Sequence, residues 1–318
     1  MKDNLRIVFM GTPGFSVGIM EAILNAGMNI VGAVTVADKP AGRGQLMHES
    51  AVKTFAVEKQ IPVLQPIKLK DETFLADLKA LEADVFVVVA FRMLPAEVWK
   101  MPRFGTFNLH ASLLPDYRGA APINWTLING DSETGVSTFF IDEAIDTGNV
   151  IGQTKMPIGP NELAGELHDR MMIIGGELVV QTLTQIQEGT FTTIPQTEMK
   201  ESLQRPAPKL FKENTQIEWK QSAHAIHNLV RGLSPYPSAW TRWEKEQEGV
   251  KSIKIFETRL SEKATKGDLS LEADKQLIYV HCLDQCLEIH AFQVEGKKRM
   301  SAKEWLVGNK IADWKVVL

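Results

Sequence analysis

With 318 residues, 44% hydrophobic and 23% charged, the chain is long enough for two domains and apolar enough to bury a core in each, which excludes disorder, collagen-like repeats and low complexity. No apolar run approaches the roughly 20 residues of a bilayer span, and Met1-Lys2-Asp3-Asn4 leads into strand-like Leu5-Arg6-Ile7-Val8-Phe9 without a signal peptide's apolar core. A cytoplasmic protein without a membrane partner is expected, and two cysteines, Cys282 and Cys286, provide no disulfide framework. The net charge of −4 divides unevenly: 17 Lys+Arg against 24 Asp+Glu through Arg205, then 18 against 15. That distribution fits either a polyanionic partner for the C-terminal part or the ordinary scatter of solvated charges.

The first hundred residues alternate between strand-like and helix-like patterns. Ile7-Val8-Phe9-Met10 reads as a short buried strand, 17–26 has helical spacing, and 29–34 is apolar again. Glycines at 11, 14 and 18 do not make G-x-G-x-x-G, and Pro13 removes an amide that would cradle a phosphate, so 11–14 is expected to be a tight strand-to-helix turn. Residues 71–82 read as a helix with an acidic first turn, 84–90 as a central parallel strand apolar on both faces, and 105–110 as a further strand. Strands separated by helices imply an α/β fold with a doubly wound, mostly parallel sheet. A long helix over 161–188 would close this domain, with Gly175-Gly176 the point where it could break.

Periodicity fades over 189–212, where Pro206 and Pro208 favour an extended connector. Beyond a helix at 222–233, alternating strands at 252–256, 277–281 and 286–292 suggest a second, smaller antiparallel β-barrel. The five-stranded oligonucleotide-binding (OB-like) kind is one candidate. The expected division is a catalytic domain over 1–189, a linker over 190–208 and a barrel domain over 209–318.

Asn108 and His110 are one residue apart at the end of a strand, so both side chains point to one face at the carboxyl edge, where open parallel sheets bind ligands. A carboxamide and an imidazole converging there suit donation to a developing oxyanion, whereas in isolation they also fit a core histidine and a strand-end cap. Pro115, Gly119 and Pro122 interrupt regular structure after this strand, and Leu113-Leu114-Pro115 could wall a flat ligand. A strand at 135–141 runs into Asp146-Thr147-Gly148, where Asp146 can meet a histidine across the sheet edge or serve as a plain turn aspartate. In the first case the carboxylate favours the imidazolium and selects which nitrogen faces the substrate. Residues 37–50 form an irregular loop carrying Lys39 and Arg43. In His281-Cys282-x3-Cys286-x3-His290, adjacent residues face opposite sides of a hairpin, so core thiols are expected and no metal.

Taken together, Asn108-x-His110, Ser112-Leu113-Leu114-Pro115-x-Tyr117-Arg118-Gly119 and Asp146-Thr147-Gly148 resemble the signature of formyltransferases that use 10-formyltetrahydrofolate. Val8-Phe9-Met10-Gly11-Thr12-Pro13-x-Phe15, Lys39-Pro40-Ala41-Gly42-Arg43-Gly44, Gly119-Ala120-Ala121-Pro122-Ile123 and a barrel with Trp219, Pro235 and Pro237 extend the resemblance. Over nearly the whole chain it is to the branch of that family acting on methionyl-tRNA.

The resemblance implies attack of the methionyl α-amino group on the formyl carbon, with Asn108 and protonated His110 donating to the oxyanion. Asp146 would keep His110 charged and help move the amine proton toward the leaving folate nitrogen. It further implies that Ser112, Leu113, Leu114 and Pro115 border the folate, and that the run 87–90, with Val88 and Ala90, forms part of the pterin slot. Lys39 and Arg43 would enter the acceptor arm of initiator tRNA. Apart from the resemblance, Lys209 in the connector, with Lys212, Lys220 and Arg231, could extend a phosphate track toward the barrel, or each could be an ordinary solvated charge. Initiator methionyl-tRNA and folate are the implied partners, with no obligate protein partner and no metal. Phe91-Arg92-Met93-Leu94-Pro95 departs from the longer, Gly-containing stretch of many relatives, and Arg92 could reach the folate's anionic tail or solvent. A formyltransferase acting on a sugar amine or other small amine is the nearest alternative reading. A non-catalytic RNA-binding protein is a third, against which the presence of Asn108, His110 and Asp146 speaks.

Overall fold

Runs apolar on both faces set the centre of the first sheet. In a computed structural model describing residues 5–41, 46–199, 203–245 and 248–318, these runs become β1 (Arg6–Gly11), β2 (Asn29–Val34), β3 (Val63–Leu64), β4 (Val85–Val89) and β5 (Thr106–His110). They are followed by β6 (Glu133–Phe140) and β7 (Val150–Pro157). Among the described residues the order is β7-β6-β5-β4-β1-β2-β3, parallel from β5 to β3 and antiparallel between β5 and β6. Ile7, Val8, Phe9 and Met10 are fully buried and β4 is buried throughout, as a two-sided core requires. Strand order reverses between β1 and β4, so the carboxyl ends of β1 and β4 border a topological switch point, with β5 next to β4.

Helices cover the sheet: α1 (Gly14–Asn25), α2 (Ala51–Glu58), α3 (Glu72–Ala80) and α4 (Ala164–Glu188). The side chain of Asp71 caps α3, accepting from the Phe74 amide at 3.1 Å. The helix does not break at Gly175-Gly176, the point where it could have, since α4 is one helix of 25 residues. The glycines serve close packing instead: a Cβ on Gly176 would lie 2.8 Å from Ala22 Cβ of α1, and one on Gly175 would lie 2.9 Å from the Leu109 side chain.

The chain divides into two compact units, Met1–Gly119 with Thr134–Met156 and His168–Pro206, and Ala120–Glu133 with Pro157–Leu167 and Ala207–Leu318. The low-periodicity segment after α4 is held to the first unit. Ile194 and Val150 exchange two backbone hydrogen bonds of 2.9 Å, and Gln196–Glu198 form a short 3-10 turn.

The second unit carries α5 (Ala223–Leu233), capped by the Ser222 side chain, on a nearly closed antiparallel barrel. Its strands are β8 (Ala239–Lys245), β9 (Gly249–Leu260), β10 (Leu271–Ala273), β11 (Ile278–His281), β12 (Cys286–Val294), β13 (Met300–Ser301) and β14 (Trp314–Val317). Among the described residues the path is β10-β11-β12-β9-β8-β14, with β13 on β12, so the barrel has more strands than the five-stranded candidate. Its core is aromatic: Trp243, Phe292, Trp305 and Trp314 lie edge-on or tilted at 5.5 to 6.3 Å. Cys282 and Cys286 are fully buried, and burial pushes the Cys282 thiol up to about 12. No described helix is long and apolar enough to cross a membrane.

Candidate active site

β5 ends on His110, and its alternation puts Asn108 on the same face about 7 Å away along the strand. Asn108 is half-buried and His110 is 6% exposed, with Phe139 edge-on at 6.5 Å. The His110 Nε2 lies 2.8 Å from the Tyr117 carbonyl. A carbonyl cannot donate, so Nε2 carries the hydrogen and Nδ1 is the nitrogen turned to the site. Asp146 Oδ2 stands 3.9 Å from that Nδ1, at charge-contact range and beyond a hydrogen bond. Tyr117, not Asp146, therefore selects the histidine tautomer.

The Asp146 side chain is in turn fixed by the Gly119 amide, which donates to Oδ2 at 3.0 Å. Its turn requires glycine two residues later, because a Cβ on Gly148 would sit 1.7 Å from the Phe140 carbonyl oxygen. Asp146 has φ +56°, Tyr117 +60° and, at the end of β4, Ala90 +48°. Each such non-glycine residue costs on the order of 1–3 kcal/mol, and clustering at a strand edge marks a place where surroundings over-determine the backbone. Two neighbours complete this frame: Arg118, which belongs to the motif after β5, and Gln196, which local sequence patterns did not indicate. Gln196 Nε2 donates to the Asp146 carbonyl at 2.9 Å, and Gln196 Oε1 accepts from Arg118.

The residues expected around the folate divide by burial. Ala90 is exposed where β4 ends, whereas the Val88 side chain is buried in the core with Val8 and Phe86. Ser112 is fully buried, donating to the Asp116 carbonyl at 2.6 Å, and Leu114 packs on Phe139 and Val150. Pro115 is buried and Leu113 half-buried, so Ser112 and Leu114 shape the loop from inside it. Arg92 neither lies open in solvent nor is fully satisfied. It donates to the carbonyls of Pro66 and Ile67, while its buried Nε has no acceptor among the described residues.

In the segment 37–50, Lys39 is exposed on a ribbon, Lys39–Ala41 paired antiparallel with Leu46–His48, more regular than the expected loop. Arg43 lies outside the described residues. In the second unit Lys209 is exposed with its Nζ 5.6 Å from the Phe211 ring, and Lys212 and Arg242 flank Trp240 at 5.3 and 5.6 Å. Arg231 does not join that surface: it is 4% exposed on α5 and donates to Asn228 Oδ1 at 2.8 Å.

Comparison with known proteins assigns the chain. The formyl transferase profile matches residues 5–183 and the formyl transferase C-terminal domain profile matches 209–310. A methionyl-tRNA formyltransferase of Flavobacterium johnsoniae is 49% identical over 312 residues, covering 98% of each chain. One from Bacteroides fragilis is 48% identical over 310 residues and 96% of each. Among solved structures, an N-formyltransferase from Helicobacter canadensis in complex with folinic acid and dTDP-3-aminofucose superposes with a TM-score of 0.62. It is 20% identical, covers 90% of this chain and 98% of its own, and speaks to the fold alone. Near-half identity along almost the full length of both chains, with both domain profiles in order, makes this chain a member of the methionyl-tRNA formyltransferase family.

Proposed function

We infer that the protein transfers the formyl group of 10-formyltetrahydrofolate to the α-amino group of initiator methionyl-tRNA. The products are N-formylmethionyl-tRNA for translation initiation in the cytoplasm, and tetrahydrofolate. The observation that carries this reading is the His110–Asp146 pair beside Asn108 at the carboxyl end of β5, in a chain about half identical to methionyl-tRNA formyltransferases.

The bound folate supplies an activated formyl carbon and a nitrogen leaving group. The Asn108 carboxamide and His110 Nδ1–H, in the imidazolium form, donate to the oxygen on which charge builds as the amine attacks. Asp146 at 3.9 Å balances the imidazolium charge and stands where an amine proton can be relayed. The new bond joins the amine nitrogen to the formyl carbon, the carbon–nitrogen bond to the folate breaks, and one amine proton ends on that leaving nitrogen. No covalent bond to the protein is required. A folate fits the chemistry of this edge: Ala90 is exposed at the end of β4, and the buried Arg92 Nε–H lacks an acceptor that an anionic or carbonyl oxygen would provide. The loop 112–115 borders the same slot, and no metal is invoked.

The division of labour proposed is catalysis in 1–189, a connector over 190–208 and tRNA binding by 209–318. Interleaved cations and aromatics at Lys209, Phe211, Lys212, Trp240 and Arg242 support an RNA-binding role for the barrel. Lys39 and Arg43 would meet the acceptor arm.

The test is formylation by the purified protein of charged initiator tRNA, with and without 10-formyltetrahydrofolate, alongside sugar amines and free methionine. Donor-dependent formylation of the tRNA is expected. Formylation of small amines alone would replace the translation role with a small-molecule one.

A further inference from the structure

We propose that Gln196 is a positioning residue for the His110–Asp146 pair, holding the catalytic carboxylate through the backbone of its own turn. This rests on the reaction assigned above, and Gln196 itself is not among the residues that carry the family resemblance. Gln196 lies in the low-periodicity segment after α4, 50 residues from Asp146 in sequence, and is only 3% exposed.

Its carboxamide is saturated. Nε2 donates to the Asp146 carbonyl at 2.9 Å and to the Gly148 carbonyl at 2.8 Å. Oε1 accepts from Arg118 Nε at 2.9 Å and from the second terminal nitrogen of that guanidinium at 2.6 Å. Two carbonyls on one side and a guanidinium on the other admit one orientation of the amide, since the nitrogen must face the acceptors. Neither a carboxylate nor an ammonium can replace it: the first has no donor for the carbonyls, the second no acceptor for Arg118.

The position of these bonds gives them a catalytic consequence. Arg118 lies between Tyr117, whose carbonyl takes the His110 Nε2–H, and Gly119, whose amide donates to Asp146 Oδ2. Gln196 therefore joins the loop that orients the imidazole to the turn that presents the carboxylate. Asp146 sits at φ +56°, a conformation that needs external support in a non-glycine residue. With the two carbonyl bonds removed, the turn is free to relax and the 3.9 Å spacing of Asp146 from His110 is no longer held. A shift of about 1 Å at a reacting pair lowers rates by up to about a hundredfold.

The experiment uses the full chain with Gln196→Met, which removes all four bonds at similar length, and Gln196→Glu, which keeps an acceptor for Arg118 but no donor for the turn. Both are expected to lower kcat for formylation of methionyl-tRNA by about tenfold or more, with KM for either substrate changed by less than about twofold. In an Asp146→Asn background the added Gln196→Met is expected to lower kcat by less than about twofold, because the group it positions is already disabled. The ring-nitrogen resonances of His110 are expected to move in Gln196→Met, an outcome that can be read whether or not the protein is active. A wild-type protein without formylation activity would sink the assigned reaction, and the resonances would still decide the role of Gln196. Unmoved His110 resonances, or a full multiplicative loss in the double variant, would overturn the proposal. If Gln196→Met fails to fold, Gln196→Glu, which retains the Arg118 pair, decides by the same readouts.

Discussion

His110 gives its Nε2 hydrogen to a backbone carbonyl, and this leaves Nδ1 as the nitrogen facing Asp146. That nitrogen carries a hydrogen only in the imidazolium, so the oxyanion donation proposed for it requires the charged ring, with Asp146 3.9 Å away to balance the charge. His110→Ala and Asn108→Ala should each lower kcat by about a hundred- to a thousandfold, with little change in melting temperature, as measured by single-turnover formylation. A second prediction concerns acid stability. Lys263, then Lys266 and His281, hydrogen-bond to Glu272 and lower its carboxyl from 4.5 to about 2. A folded-state value below the unfolded one gives stabilisation that is complete above about pH 4.5 and is lost as pH falls toward 2. Glu272→Gln should therefore lower the urea midpoint above pH 4.5 slightly and flatten its decline over that window. The side chain is 36% exposed, so screening keeps the effect small.

Among elements, the helix α4 shows how two glycines can serve packing without ending a helix. The hydrogen-bonded backbone continues through Gly175-Gly176, and Met171, Leu178, Val179 and Leu183 on the surrounding turns are buried. The side-chain gap admits α1 at Ala22, whose Cβ is attached directly to the backbone and cannot swing away. Gly176→Val should destabilise the protein by about 1–3 kcal/mol in urea unfolding through overpacking, despite the higher intrinsic helix preference of valine. In the barrel, α5 follows from its pattern directly: a Ser222 cap, then apolar Ala223, Ile226, Val230 and Leu233 at helical spacing, all buried on the sheet.

At the scale of the whole molecule, the acidic N-terminal and basic C-terminal parts predict how tRNA affinity responds to salt. Phosphate contacts release counterions, so the logarithm of the association constant should fall linearly with the logarithm of salt concentration. Lys209→Ala and Arg242→Ala should each reduce that slope by roughly one, while leaving the donor-dependent rate at saturating tRNA within about twofold. Filter binding across a salt series checks both. The solvent-facing Lys209 and the buried Arg231 are both single basic residues in the sequence, and only folding separates them into surface and interior roles.

Local pattern alone determined that this chain alternates strands and helices, closes with a barrel, and places Asn108 and His110 on one strand face. Each of those properties is decided over a few residues, by alternation, capping or chain breakers. The motif around Asp146 was legible for the same reason, since turn geometry demands Gly148 nearby in sequence. Tertiary structure alone decided which histidine nitrogen is presented, that Ser112 and Leu114 face inward, and that Gln196 holds the Asp146 turn. Those outcomes depend on hydrogen-bond partners as much as 78 residues apart, such as Arg118 and Gln196, and no local pattern encodes which polar groups meet once water is excluded.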